Sequence, residues 1–227
     1  MSDLKLSKRL STAASYVRSG AFVADIGTDH AYLPIYLVSK GIANFALASD
    51  INEGPILKAK ENIIKHGLSD KIYTEIANGL EKIEKYSPTD IVICGMGGEF
   101  IAKILEASNY IKDKKIRLIL QPMTSVFELR EYLSNGFSTV AENVVCEDEK
   151  IYQIICAEYD GEKHEYTRLE LELGQLNIEG KSEEYIALLN QTICKKKKRL
   201  NGLKIGGYDT SEIEAEIVEL ERLKNDI

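Results

Sequence analysis

The sequence has few of the residues that build metal centres and disulfide frameworks. Its 227 residues include four cysteines and three histidines. The cysteines form no Cys-x-x-Cys pair and lie in apolar stretches, and the histidines are too dispersed for a zinc site. We therefore expect a cytoplasmic protein that holds no metal and whose cysteines are packed as small apolar side chains.

Long apolar runs are also absent. No stretch reaches the roughly 18 residues that a membrane-spanning helix needs, and Met1–Leu10 is too polar and lysine-rich for a signal peptide. We expect no membrane contact. A length of 227 residues, of which 44% are hydrophobic and 29% charged, suits one globular α/β domain with an appendage. A monomer is the expected oligomeric state.

The net charge of −7 argues against nucleic-acid binding through the whole surface. Basic residues nevertheless concentrate before the first predicted strand, at Lys112–Arg117 and in one unbroken run near the C-terminus. A single cluster is usually a solvated surface, but three on an acidic chain favour a polyanionic partner. The candidate RNA-contacting residues in the first and last clusters are Lys5, Lys8, Arg9, Lys195, Lys196, Lys197, Lys198 and Arg199.

Strand and helix patterns alternate through the first two thirds of the chain. Apolar runs predict strands at Phe22–Asp25, Asn44–Asp50, Asp90–Cys94 and Arg117–Leu120, and an alternation of apolar and polar residues predicts another at Lys71–Ala77. This alternation predicts a parallel sheet with helices on both faces. Residues Phe137–Glu147 and Tyr152–Tyr159 predict a β-hairpin that adds an antiparallel strand at one edge. The predicted fold class is therefore α/β, with a Rossmann-like, mostly parallel sheet.

The composition changes near Gly161. Beyond it, glutamate, lysine and leucine dominate and strand patterns disappear. Isoleucine and leucine recur at spacings of about three and four residues in two segments, which predicts an antiparallel coiled-coil hairpin. Its turn is expected over Gly202–Thr210. We therefore predict two domains, residues 1–161 and residues 162–227.

One stretch, Phe22–Pro34, joins the first predicted strand to a glycine turn and a helix. Gly27 provides the turn, and Thr28 and Asp29 are candidates to cap the helix that follows. Such a unit begins many nucleotide-binding α/β domains. The chain has no Gly-x-Gly-x-x-Gly, and Asp25 places a carboxylate where a pyrophosphate would need neutral backbone. This argues against a dinucleotide and favours S-adenosylmethionine, which carries an ammonium group and ribose hydroxyls.

The other predicted strands also end in polar or glycine-rich segments, which meet at one edge of a parallel sheet. Asp50 is placed to accept both ribose hydroxyls of a nucleoside, and Asn78 to bond an adenine edge. The glycines of Gly95–Gly98 leave room for a flat substrate. Each signal alone also fits a plainer role, because aspartates cap helices and Gly-Gly pairs make turns. His30 equally fits a ligand contact or a helix start, and Glu99 a helix N-terminus.

Five segments together carry a resemblance to a known family. They are Asp25–Pro34, Ser49–Ile51, Asn78–Leu80, Gly95–Glu99 and Gln121-Pro122. With them, the chain resembles TrmK-type bacterial tRNA (adenine-N1)-methyltransferases over essentially its whole length. The resemblance implies a class I methyltransferase domain, a C-terminal coiled coil, and methylation of N1 of adenine 22 in tRNA, with S-adenosylmethionine as the cofactor.

The predicted site has three parts. The expected cofactor-binding residues are Asp25, Gly27, Thr28, His30, Asp50, Ile51, Asn78 and Gly79. The residues expected around the target base are Asp29, Gly95, Met96, Gly97, Gly98 and Glu99. Further contacts with the substrate are expected from Tyr32, Gln121 and Pro122. Adenine N1 has a lone pair that attacks the methyl group directly, so a nearby carboxylate that favours the developing positive charge is sufficient.

Two other classes of function remain open from the residues alone. A methyltransferase of another RNA site, a small molecule or a protein would use the same domain. A non-catalytic nucleotide-binding module would use the helical tail only for assembly. The basic run in the tail favours RNA over a small molecule, and the open polar strand ends favour an enzyme over a binding module.

Overall fold

A seven-stranded sheet occupies the first part of the computed structural model, which describes residues 4–227. Its strands are β1 (Ala21–Ile26), β2 (Ala43–Asp50), β3 (Ile72–Ile76), β4 (Asp90–Met96), β5 (Arg117–Pro122), β6 (Asn135–Glu147) and β7 (Lys150–Lys163). Their order across the sheet is β3-β2-β1-β4-β5-β7-β6. Strands β1 to β5 run parallel, and β7 is antiparallel to both of its neighbours. The α/β, Rossmann-like prediction is confirmed.

The antiparallel strand does not lie at the sheet edge, where the sequence predicted it. The second strand of the hairpin, β7, pairs with β5, and the first strand, β6, forms the edge. Residues Gln153–Ala157 of β7 are all buried, and the last four of them form a continuous apolar run, which suits an interior strand. The hairpin turns at Asp148 and Glu149, which both have positive φ, as a two-residue hairpin turn of type I′ requires.

Helices cover both faces of this sheet. On one face lie α1 (Lys8–Ser15), α2 (Tyr32–Ser39) and α3 (Glu53–Lys65), and on the other lie α4 (Gly98–Glu106) and α5 (Val126–Leu133). Strand β4 shows how the layers are filled, because Val92 packs into the first core and Ile91 and Ile93 pack into the second. The central strands are therefore apolar on both sides, and polar residues collect at their carboxyl ends.

The second compact unit, Tyr166–Ile227, is helical. Its helices are α6 (Arg168–Leu173), α7 (Gln175–Gly180), α8 (Glu183–Gly206) and α9 (Ser211–Asn225). Helices α8 and α9 pack together, and their buried residues include Ile193 and Ile217. Among the described residues, no helix has the length and apolar character needed to cross a membrane.

Three details of this unit differ from the prediction. The two short helices α6 and α7 precede the expected pair. Helix α8 continues to Gly206, so the turn is shorter than Gly202–Thr210. Strand β7 continues to Lys163, and the first unit ends at Glu165 instead of residue 161.

Candidate active site

Strand β1 ends in a turn that requires glycine. Gly27 has φ +74°, and a Cβ atom at this position would lie 2.1 Å from the Cε atom of Met96. The backbone N–H groups of Gly27 and Thr28 both donate to the carbonyl oxygen of Ser49, at 2.8 and 2.9 Å. The turn is therefore bound to the end of β2. Its left-handed backbone conformation costs little at glycine, which has no Cβ atom.

Asp25 is a buried carboxylate in the penultimate position of β1. Burial raises the pKa of Asp25 to about 6, and the nearby Asp50 carboxylate adds to this effect, while the Thr28 hydroxyl opposes it. Burial acts in this direction because it disfavours the charged form of a carboxylate. A cation placed next to Asp25 would restore its ionisation, so the group is suited to a positively charged ligand.

A cavity of about 450 Å³ opens next to Asp25. Its lining residues are Lys5, Leu6, Ser7, Arg9, Leu10, Asp25, Gly27, Asp29, Tyr32, Leu33, Cys94 and Gly95. Seven of these were predicted from the sequence to be site residues. The cavity thus has acidic groups at the end of β1 and in the loop after it, Asp25 and Asp29, and basic groups near the start of α1, Lys5 and Arg9.

The loop between β1 and α2 differs from the helix cap that the sequence predicted. The cap position belongs to Ala31, without a side-chain cap, and both His30 and Ala31 have left-handed backbone conformations. The Asp29 carboxylate instead pairs with the His30 ring, with Oδ1 3.1 Å from Nε2. The His30 ring also stacks on Tyr32, with ring centroids 5.3 Å apart. His30 therefore supports Tyr32, whose side chain is 42% exposed at the cavity.

The remaining predicted cofactor residues lie at the ends of β2 and β3. Asp50 Oδ1 accepts a hydrogen bond from the backbone N–H of Asn52 at 2.7 Å, and Ile51 is 60% exposed. Asn78 and Gly79 line a different cavity, of about 540 Å³. The structure thus brings Asp25, Gly27 and Asp29 into one cavity and places Asn78 and Gly79 in another.

The glycine-rich end of β4 is less open than the sequence suggested. Of Gly95–Gly98, Gly95 lines the 450 Å³ cavity, and the Met96 side chain lies against Gly27. Gly98 is buried, and a Cβ atom there would lie 2.0 Å from the carbonyl oxygen of Ser125. Glycine at this position allows α4 to pack closely on the β5–α5 loop. Glu99 is exposed in the first turn of α4.

Gln121 and Pro122, which were predicted to touch the substrate, are both buried. The side-chain oxygen of Gln121 accepts hydrogen bonds from Arg9 Nη1 at 2.7 Å and from the Gly95 N–H at 3.2 Å. The Arg9 guanidinium also lies over the Tyr152 ring. Sequence reasoning assigned Arg9 to an RNA surface and missed its partners, because they lie more than 100 residues away and nothing local indicates them.

The basic run on α8 is partly neutralised. Lys196 Nζ lies 2.8 Å from a Glu172 oxygen and 2.9 Å from a Glu216 oxygen, and its side chain is mostly buried. Lys197 pairs with Glu221. Lys195 donates to Gln191, while Lys198 and Arg199 are exposed. Lys196 therefore stabilises the helical unit and is not placed to contact RNA. In the basic cluster that precedes the first strand, Lys5 and Lys8 are exposed.

The chain is similar in sequence to known methyltransferases. The sequence family described as "Methyltransferase domain" matches residues 6–155. The tRNA (adenine(22)-N(1))-methyltransferase of Bacillus subtilis (strain 168) is 43% identical over 177 residues, which cover 78% of this chain and 74% of that protein. The chain belongs to the TrmK family of tRNA (adenine(22)-N1)-methyltransferases.

Solved structures of similar proteins agree in fold over nearly the whole chain. A putative tRNA (m1A22) methyltransferase of Streptococcus pneumoniae in complex with S-adenosyl-L-methionine is 33% identical, with a TM-score of 0.85 and coverage of 96% of this chain and 99% of that one. M. capricolum TrmK in complex with S-adenosyl-homocysteine is 32% identical, with a TM-score of 0.80 and coverage of 96% of both chains.

The buried carboxylate leads to a first testable prediction. The native state holds the Asp25 proton more tightly than the unfolded chain, so Asp25 costs stability as pH rises from about 4 to about 6. Asp25→Asn should stabilise the ligand-free protein against urea by up to about 3 kcal/mol at pH 8, and by roughly 1.5 kcal/mol less at pH 5. Asp70→Asn, at an exposed position, is the control and should change stability little at either pH. An equal effect of Asp25→Asn at both pH values would contradict the buried-carboxylate account.

Proposed function

We propose that this chain transfers a methyl group from S-adenosylmethionine to N1 of adenine 22 in tRNA. The observation that carries the proposal is the cavity at the end of β1, with its buried carboxylate, in a chain of this family. As a tRNA-modifying enzyme, it would act in the cytoplasm.

The residues present fit this cofactor. Asp25 is a buried carboxylate that a cation would stabilise, which suits an α-ammonium group. Asp50, at the end of the neighbouring strand, is a carboxylate that can accept hydrogen bonds from ribose hydroxyls. Ile51 is exposed next to it and offers an apolar contact for an adenine ring. When bound, S-adenosylmethionine supplies an electrophilic methyl group on a positively charged sulfur.

On the substrate side, the chain must present adenine N1 to the methyl group. N1 lies on the Watson–Crick edge, so the base has to be unpaired or flipped before it enters the cavity. Tyr32 is half-exposed and braced by His30, which suits it to stack on that base. Asp29 lines the same cavity, and its carboxylate would favour the positive charge that develops on the methylated ring. Orientation of the reacting groups can supply roughly 7–11 kcal/mol of the barrier reduction.

The direct test of this proposal uses unmodified tRNA transcripts that differ at one position. We expect the purified protein and labelled S-adenosylmethionine to produce 1-methyladenosine in a transcript with adenine 22 and no labelled product when position 22 is guanine. Nucleoside analysis after digestion identifies the product and its site. Label in neither transcript would contradict the proposed function, and equal label in both would contradict the proposed position.

The ion pairs along the basic run of α8 leave Lys198 and Arg199 as the candidates for RNA contacts, which leads to a further prediction. Neutralising residues that contact phosphates reduces the number of counterions released on binding, so the salt dependence of the affinity becomes flatter. The double variant Lys198→Gln/Arg199→Gln should flatten the plot of log affinity for tRNA against log salt by about one to two units of slope. Binding is measured by titration at several salt concentrations.

Lys196→Gln is the matched control on the same helix, because Lys196 already lies between two carboxylates. Its slope should equal that of the unaltered protein. If the double variant also keeps the original slope, this face of α8 does not contact RNA, and Lys5 and Lys8 become the stronger candidates.

A further inference from the structure

Strand β4 leaves its regular pairing at Gly95, next to the cavity. Cys94 pairs with Gln121 and Met96 pairs with Pro122, so the ladder shifts register around Gly95. Gly95 has φ +83°, and a bulge of this kind takes the residue out of the regular hydrogen-bond pattern. The N–H group of Gly95 donates instead to Oε1 of Gln121, at 3.2 Å. At Gly95, the Gln121 side chain therefore takes the place of a backbone acceptor.

The Gln121 side chain is fully buried and bonded at both ends. Nε2 donates to the carbonyl oxygen of Pro122 at 2.8 Å, and Oε1 accepts from Arg9 and Gly95. A guanidinium and a backbone N–H can only donate, so the amide oxygen has to face them. A carboxylate could not donate to Pro122, and an apolar side chain would remove the acceptor that Arg9 and Gly95 share. These contacts need an amide at this position.

Arg9 is held from several directions. Its Nη1 lies 2.7 Å from Gln121 Oε1, its Nε lies 3.7 Å from a Glu147 oxygen, and its guanidinium lies 5.6 Å from the centre of the Tyr152 ring. Arg9 and Gly95 both line the 450 Å³ cavity. Gln121 thus joins the start of α1 to the end of β4 in one wall of that cavity.

We propose that Gln121 is a positioning residue for methyl transfer, an inference that rests on the proposed function. Gln121 is too deeply buried to touch the substrate. It fixes the Gly95 backbone and the Arg9 guanidinium relative to Asp29 and Tyr32, which line the same cavity. A shift of about 1 Å in the groups that line the cavity can lower the rate of methyl transfer about a hundredfold while ligands still bind.

Gln121→Met tests this role, because it keeps the length of the side chain and removes both its donor and its acceptor. The single-turnover rate with saturating S-adenosylmethionine and tRNA should fall about 10- to 100-fold. The Kd for S-adenosylmethionine, measured by calorimetry, should stay within about threefold, because Gln121 lies outside the proposed cofactor contacts.

Gln153→Met is the matched control. Gln153 is also buried and also accepts a hydrogen bond from an arginine, Arg130, at 2.8 Å, but it does not line the cavity. It should lose thermal stability to a similar degree and keep a methyl-transfer rate within about threefold of the unaltered protein.

Three results would overturn the inference in distinguishable ways. A normal rate in Gln121→Met would show that Gln121 has no positioning role. Equal rate losses in Gln121→Met and Gln153→Met would show that the loss comes from general destabilisation of the core. Both of these leave the proposed function standing. If the unaltered protein methylates no tRNA, the proposed function fails and the inference fails with it.

Discussion

A carboxylate held in the protein interior at the end of β1 is the constraint on which the rest of the site depends. Burial raises the pKa of Asp25 to about 6, so near neutral pH its charge is maintained at a cost to the stability of the fold. The Gly27 turn keeps this strand end bound to β2 through the Ser49 carbonyl. A cationic ligand would relieve the cost, so the same interaction that weakens the empty fold would strengthen the bound one.

The site around this carboxylate is assembled from segments that are far apart in the sequence. Arg9 comes from α1, Gln121 from β5, and Tyr152 from the terminal hairpin. The doubly wound topology explains this, because it brings the carboxyl ends of several parallel strands to one edge. Basic groups in and just before α1 and acidic groups at the end of β1 and in the β1–α2 loop then line one cavity. That division suits a substrate with phosphates and a cofactor with an ammonium group.

The sequence predicts the sheet well because its central strands are apolar runs and the segments that follow them are polar or rich in glycine. It also indicates Asp25 and Gly27, whose roles follow from their position directly after a strand. It does not indicate that β7 lies inside the sheet, because strand order depends on long-range pairing. It cannot show that Gln121 is buried or that Gly98 packs against Ser125, since both depend on tertiary contacts. The sequence also does not indicate that Lys196 is paired, because its carboxylate partners come from two other helices.

The central claim is that Asp25 is a buried carboxylate that binds the cationic cofactor, and calorimetry as a function of pH tests it most directly. With the pKa of Asp25 near 6 in the free protein, the affinity for S-adenosylmethionine should be about tenfold higher at pH 7 than at pH 5, because the ionised form binds the ammonium group. In Asp25→Asn, the affinity should be lower and equal at the two pH values. Equal affinity of the unaltered protein at pH 5 and pH 7, or an unchanged affinity in Asp25→Asn, would contradict the account.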